Sequence, residues 1–191
     1  MRGLALLAAC LLALTACSSD EAPPEEDTPV SLADVDTDLP PCPEQDSAAA
    51  SVDPGIADVT LDCFGGGGLD LALAPGTPTV LNLWASWCGP CREELPFVEQ
   101  LATTAGDRLR VVGVASQDGV PQASSFAADA GLTFPSAFDG EGLLAAGLGL
   151  TGLPHSVFLA ADGSVAHVEV GAVDSYDELR GLVAEYLGVQ L

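Results

Sequence analysis

The chain has 191 residues, a hydrophobic fraction of 48% and a formal net charge of −23, with five arginines and no lysine. This length fits one domain plus a tether, and the apolar fraction is ample for a buried core. The strong negative charge argues against nucleic acids and anionic lipid surfaces as binding partners.

The first 16 residues are predicted to form a lipoprotein signal peptide. Arg2 supplies a short positive start, and Gly3–Leu14, which contains Cys10, is apolar but shorter than the about 20 residues that span a bilayer. Leu14-Thr15-Ala16-Cys17 resembles a lipobox, in which the cysteine is lipidated and becomes the new N-terminus. The alternative is an ordinary signal peptide that is cut nearby, with Cys17 incidental.

Residues 17–41 are predicted to be a disordered tether. They are acidic and rich in proline, as in the run from Asp20 to Asp27. Such a segment buries too little apolar surface to fold. Residues 42–191 are therefore assigned to the folded domain.

The hydrophobic periodicity of the domain predicts alternating strands and helices. In chain order, the prediction is strands Val59–Leu61 and Leu69–Leu73 around a four-glycine turn, strand Val80–Trp84, helix Glu93–Thr104 with Pro96 inside it, strand Leu109–Val114, helix Pro121–Ala130, a turn at Asp139-Gly140, helix Leu143–Leu148, a hairpin of Ser156–Leu159 and Val165–Val170, and a helix from the Ser175 cap to near Gly188. This order predicts an α/β sandwich with a mixed sheet.

The most informative run is Trp87-Cys88-Gly89-Pro90-Cys91, which lies between a buried strand and a helix. Two cysteines at this spacing can close a disulfide across one helical turn. The free N–H groups and the dipole at the helix start stabilise a thiolate on Cys88, the attacking species in disulfide exchange. Pro90 is tolerated because the first turn of a helix does not need its N–H.

Two motifs carry a resemblance to a known family. Trp84-Ala85-Ser86-Trp87-Cys88-Gly89-Pro90-Cys91, continued by Arg92-Glu93-Glu94-Leu95-Pro96, resembles the active-site segment of thioredoxin-fold oxidoreductases of the exported TlpA/ResA branch. Gly152-Leu153-Pro154-His155 and the following strand resemble the cis-proline loop of that family. The resemblance covers about residues 58–188. It implies a thioredoxin fold with an N-terminal β-hairpin extension and a helix-containing insertion near residues 117–138.

The resemblance also implies the roles of individual residues. Cys88 is the expected nucleophile, Cys91 the resolving thiol, and Glu94 the acid that exchanges a proton with Cys91. A bond between Cys88 and Cys91 is the expected redox-active disulfide. The residues expected to contact substrate are Trp87, Gly89, Pro90, Leu153 and Pro154, the last after a cis peptide bond.

Cys42 and Cys63 are expected to form a structural disulfide, because spare cysteines tend to pair in an exported protein. The competing interpretation is a zinc site built from these two cysteines and the Cys88–Cys91 pair. Structural zinc sites use two closely spaced pairs, and Cys42 and Cys63 are too far apart in sequence to be one. No metal and no cofactor is therefore expected.

Three other polar residues are given ordinary structural roles. Asn82 stands where many thioredoxins have a buried aspartate, and we expect it to hydrogen-bond within its strand. His155 replaces the usual threonine, and we expect a partly exposed strand residue there. His167 is expected on the solvent face of its strand.

These features predict an extracytoplasmic thiol–disulfide oxidoreductase, a monomer anchored to the outer face of the cell membrane by lipidated Cys17. The implied substrates are cysteines of other proteins, with apocytochrome c as one candidate and a CcdA-type membrane protein as electron donor. The Gly89-Pro90 dipeptide favours reduction. The alternatives are an oxidant of exported proteins and a non-catalytic binding lipoprotein. A peroxiredoxin would need Thr or Ser where Ala85 stands.

Overall fold

The computed structural model describes residues 31–191. The predicted signal peptide, Cys17 and residues 18–30 of the predicted tether lie outside the described residues. Within residues 31–191, no helix combines the length and the apolar character that crossing a membrane requires.

Residues 31–191 contain seven β-strands, four α-helices and two short 3-10 turns. The strands are β1 (Thr60–Asp62), β2 (Gly68–Asp70), β3 (Thr79–Trp84), β4 (Arg110–Ser116), β5 (Ser136–Asp139), β6 (His155–Leu159) and β7 (Val165–Val170). The helices are α1 (Gly89–Ala105), α2 (Val120–Ala130), α3 (Leu143–Gly147) and α4 (Tyr176–Leu187), and the 3-10 turns are Leu32–Asp34 and Gly106–Arg108.

Five strands form one mixed sheet in the order β5-β4-β3-β6-β7. Strands β3, β4 and β5 run parallel, whereas β6 and β7 run antiparallel to their neighbours. Every residue of the central strand β3 is buried, which explains why four of its six residues are apolar, since a strand covered on both faces needs no polar alternation. The predicted α/β class is confirmed.

The hydrophobic core lies on both faces of this sheet. One face packs against α1, α2 and α4 through Val80, Trp84, Phe158, Leu95, Val98, Ala123, Leu179 and Val183. The opposite face packs against α3 and the N-terminal segment through Leu81, Leu83, Val112, Val157, Ile56, Leu61, Leu69 and Leu144. Successive β3 side chains alternate between these faces, so Asn82 points to the α1 side.

An N-terminal hairpin of β1 and β2 covers one edge of the sheet. Phe64 N–H donates to Ser136 O at 3.0 Å, and Cys63 forms an isolated bridge with Ala137 of β5. A disulfide joins Cys42 to Cys63 with Cα atoms 5.9 Å apart. The other edge of the sheet is β7, which pairs with β6 alone among the described residues.

Three local features differ from the sequence prediction. β5 was missed, because Ser136–Asp139 is too short to show a period. β2 ends at Asp70 instead of Leu73, since the Gln45 amide donates to both Asp70 O and Leu73 O and holds a turn there. Packing also begins before the predicted domain start at Cys42: Leu39 is buried against the core.

Helix α1 starts four residues before its predicted first residue and continues through Pro96. Cys88 is the N-cap residue, with extended backbone angles of φ −83° and ψ 107°, and Pro90 lies in the first turn. The helix therefore begins directly at the two-cysteine motif, and one of its first-turn N–H groups, that of Cys91, donates to the Cys88 sulfur.

Candidate active site

Cys88 and Cys91 are bonded to each other at the N-terminus of α1, with Cα atoms 5.3 Å apart. Cys91 N–H also donates to Cys88 Sγ at 3.2 Å. A reduced Cys88 would hold its thiolate at this position, where the backbone N–H and the helix dipole both favour negative charge. The chain thus places its most stabilised sulfur next to the exposed residues Trp87, Gly89 and Pro90, although Cys88 itself is only 3% exposed.

The surroundings of the two sulfurs divide into an exposed rim and a buried floor. Trp87 is 60% exposed, and Gly89 and Pro90 are exposed as well. Cys91 is only 1% exposed. Solvent and partners can therefore approach the motif from the Trp87 side, while Cys91 faces the core.

The Leu153–Pro154 peptide bond is cis. β3 and β6 are antiparallel with Leu83 opposite His155, so one further residue along the same register brings Pro154 beside Trp84. Leu153 is half-buried and packs against both core clusters. The proline loop therefore lies at the end of β3 from which the active-site loop starts.

Glu94 is a carboxyl group in the core, one helical turn after Cys91 and 1% exposed. Its Oε1 accepts from Asn82 Nδ2 at 3.3 Å, whereas Oε2 has no hydrogen-bond partner among the described residues. Burial raises the pKa of Glu94 from 4.5 to about 7, with hydrogen bonding opposing the shift only in part. Such a group can hold or release a proton at neutral pH.

Asn82 was expected to hydrogen-bond only within its strand, but its side chain reaches two other elements. The amide Nδ2 donates to Ser156 Oγ of β6 at 3.2 Å and to Glu94 of α1. Asn82 and Ser156 face each other across β3 and β6 and are both buried. Asn82 therefore holds Glu94 in place, a contact that no spacing in the sequence indicates.

The expectations for both histidines were wrong. His155 is only 2% exposed, because β3 and β7 flank it on both sides, and neither ring nitrogen has a hydrogen-bond partner among residues 31–191. His167 is half-buried between β7 and α4: its ring stacks on Tyr186 with centroids 3.8 Å apart, and Nε2 lies 3.1 Å from Glu169 Oε2.

The turn between β4 and α2 contacts the loop before Cys88. Asp118 accepts from Ser86 N–H at 2.6 Å and from Ser86 Oγ at 3.0 Å, and the Trp87 indole donates to Gln117 O at 2.9 Å. Sequence reasoning missed both contacts, because the partners are about 30 residues apart and no motif links them.

The two cysteine pairs lie in different parts of the core. Cys42 and Cys63 pack in the cluster below the hairpin, whereas Cys88 and Cys91 belong to the cluster on the α1 side. Across residues 31–191, no three histidine, cysteine or acidic side chains are grouped closely enough to hold a metal ion. The four cysteines do not come together as the alternative zinc site requires.

Residues 51–183 match the sequence profile of the Redoxin family. The chain belongs to this family. It is 34% identical over 118 residues to the thiol:disulfide interchange protein DsbE of Escherichia coli K12, a match that covers 60% of this chain but only 62% of DsbE. It is 34% identical over 126 residues to the soluble secreted antigen MPT53 of Mycobacterium bovis, covering 65% of this chain and 72% of MPT53.

A solved structure is also similar to this Redoxin-family chain. A secreted Mycobacterium tuberculosis disulfide oxidoreductase homologous to E. coli DsbE is 31% identical, with a TM-score of 0.59, and the match covers 70% of this chain and 99% of that one. The predicted resemblance to thioredoxin-like thiol–disulfide oxidoreductases is confirmed. Two of these similar proteins, MPT53 and the M. tuberculosis oxidoreductase, are described as secreted.

Proposed function

We propose that this protein is a thiol–disulfide oxidoreductase that acts on cysteines of other proteins through Cys88 and Cys91. The observation that carries the proposal is the Cys88–Cys91 pair at the start of α1, with Trp87 exposed beside it and Glu94 buried one turn behind. A disulfide that only stabilised the fold would need neither the exposed rim nor a buried acid.

Catalysis follows two exchange steps. In the reduced protein, the Cys88 thiolate attacks one sulfur of a substrate disulfide, forming a mixed disulfide and releasing the other substrate sulfur as a thiolate. The Glu94 carboxylate then takes the proton of Cys91, and the Cys91 thiolate attacks Cys88 Sγ. The second substrate thiolate leaves and accepts the proton that Glu94 holds. Two electrons pass from the dithiol to the substrate, and all steps reverse when the protein acts as an oxidant.

The proposed direction is reduction, outside the cytoplasm. Gly89-Pro90 between the cysteines supports it, and the names of the relatives support an extracytoplasmic place. A lipid on Cys17 would anchor a monomer to the outer face of the membrane. Apocytochrome c cysteines are the candidate substrate, and a CcdA-type membrane protein would supply the electrons.

The experiment that tests the activity pairs two substitutions at the dithiol. Cys88→Ser removes the attacking sulfur and should abolish exchange with insulin disulfides. Cys91→Ser keeps the first step but blocks the second, so it should accumulate mixed disulfides that non-reducing gels detect. If the parent itself does not exchange with insulin disulfides and Cys91→Ser traps no partner, the alternative of a non-catalytic binding lipoprotein is favoured. If only Cys88→Ser traps partners, the two cysteines have exchanged roles.

The direction of exchange is tested by the reduction potential of the Cys88–Cys91 pair. A value near that of thioredoxin, about −270 mV, supports reduction, and one near that of DsbA, about −120 mV, supports the opposite direction. Equilibration with glutathione buffers or with dithiothreitol measures it, with Cys42→Ala/Cys63→Ala protein as a check that the second disulfide does not contribute.

A further inference from the structure

The loop that leads into Cys88 is held from outside by the turn that joins β4 to α2. Asp118 accepts both the N–H and the hydroxyl of Ser86, and Gln117 O accepts the indole N–H of Trp87. Two consecutive residues of the turn thus bind the two consecutive residues that precede the nucleophile.

The turn is itself fixed in place. Gln117 has φ 54°, and it is the one residue other than glycine with such an angle among residues 31–191. A non-glycine residue keeps this conformation only where its surroundings hold it. Here Gln117 N–H donates to Asp139 O at 3.0 Å, and the Gln117 side chain packs over Gly142, where a Cβ would lie 2.8 Å from Gln117 Cγ.

A third contact reaches the same loop from α1. Arg92 Nη1 donates to Ser86 O at 3.4 Å, and its guanidinium lies 4.8 Å above the Phe126 ring of α2. Ser86 is therefore bound on its N–H, its hydroxyl and its carbonyl. Trp87, by contrast, keeps most of its surface in solvent although its indole N–H is bonded.

We propose that Asp118 is a positioning residue, which together with Gln117 O holds Trp87 as a preformed docking platform for protein substrates. The inference rests on the proposed function and adds how that site selects protein partners. An exposed aromatic ring that is already fixed binds a partner without the entropy cost of immobilising it, and Trp is an effective anchor because it buries a large surface. A small disulfide offers too little surface to cover this ring, so its exchange should depend less on Trp87.

The test compares Asp118→Ala with Asp129→Ala. Asp129 is exposed on α2, so its removal deletes the same charge from the same region without breaking a recorded hydrogen bond. We expect Asp118→Ala to raise KM for insulin about fivefold, the factor that corresponds to one newly mobile side chain, with kcat within about twofold. The relative loss in kcat/KM on insulin should exceed that on oxidised glutathione at least about threefold.

Two milder variants keep the test informative where Asp118→Ala folds poorly. Asp118→Asn retains one acceptor oxygen and should show an intermediate KM, and Trp87→Phe keeps an aromatic ring but cannot bond Gln117 O, so it should show the same selective loss. Fluorescence anisotropy contains a contribution from Trp84, but that side chain is fully buried and should stay immobile in every variant. A fall in anisotropy in Asp118→Ala but not in Asp129→Ala would therefore report newly gained motion of Trp87.

Two outcomes would overturn the inference while leaving the proposed function intact. One is an unchanged KM for insulin in Asp118→Ala and Trp87→Phe. The other is an equal loss on insulin and on oxidised glutathione, which would mean that Asp118 acts on Cys88 or on the fold alone. A parent protein that exchanges with neither substrate would instead refute the proposed function, and with it this inference.

Discussion

Replacing Glu94 by glutamine tests whether the buried carboxyl has a raised pKa. The substitution should change both the free energy of unfolding and the exchange activity. The substitution keeps the size of the side chain and its ability to accept from Asn82, but it removes the titration. Because Glu94 is buried and its pKa is raised to about 7, the folded and unfolded states bind protons differently over a defined pH range.

The sign and size of the effect follow from the two pKa values. Below pH 4.5 the carboxyl is protonated in both states, so the raised pKa has no effect on stability. Between 4.5 and about 7 the unfolded chain releases a proton that the folded protein retains, so stability falls as pH rises, and above about 7 the penalty is constant. Linkage gives a loss of about 2.5 kcal/mol between pH 5 and pH 8 from this one group.

Urea unfolding of the oxidised protein at these two pH values measures the loss. Glu94→Gln should remove about 2.5 kcal/mol of the pH dependence that the parent shows, whereas Glu93→Gln, at an exposed neighbouring position, should remove almost none. The exchange rate of Glu94→Gln at neutral pH should also fall about tenfold or more, with an altered pH profile. Equal pH dependence of stability in all three proteins would refute the argument for a perturbed Glu94.

Other substitutions test the second disulfide and the buried imidazole. The Cys42–Cys63 bond should survive mild reductant that opens Cys88–Cys91, since structural disulfides have the lower potentials; mass mapping after graded reduction measures this, and two free thiols at Cys42 and Cys63 would contradict it. Removing both of these cysteines should lower the free energy of unfolding by about 3 kcal/mol, from the entropy of the loop they close. His155→Leu should raise that free energy by about 1 kcal/mol, because both ring nitrogens are buried without partners among the described residues. A lower free energy of unfolding in urea would contradict this.

Local patterns in the sequence were sufficient for most of the fold. The largely apolar sequence of β3 is a signal that a few neighbouring residues carry. The Ser175 cap of α4, which accepts from Glu178 N–H at 3.2 Å, is another. β5 has no such signal: it is four residues long, and it becomes a strand because β4 and the hairpin supply its partners.

The candidate site likewise contains residues that a local motif indicates and contacts that depend on the tertiary structure. Cys88, Cys91 and Glu94 belong to one short segment, so a motif could indicate all three. The contact of Asn82 with Glu94 depends on how α1 crosses β3, and the burial of His155 depends on the strands that flank it. Such contacts join residues far apart in sequence, and only the packed chain fixes them.

The two edges of the sheet have consequences for self-association. An uncovered edge strand offers unpaired N–H and C=O groups to another molecule. The β5 edge is occupied by a hairpin that a disulfide holds in place, so it is closed as long as that disulfide is intact. The β7 edge, with Val170 exposed beside the proline loop, has no such cover among the described residues. The net charge of −23 opposes pairing at this edge, because like-charged molecules repel one another, and it should do so most at low salt.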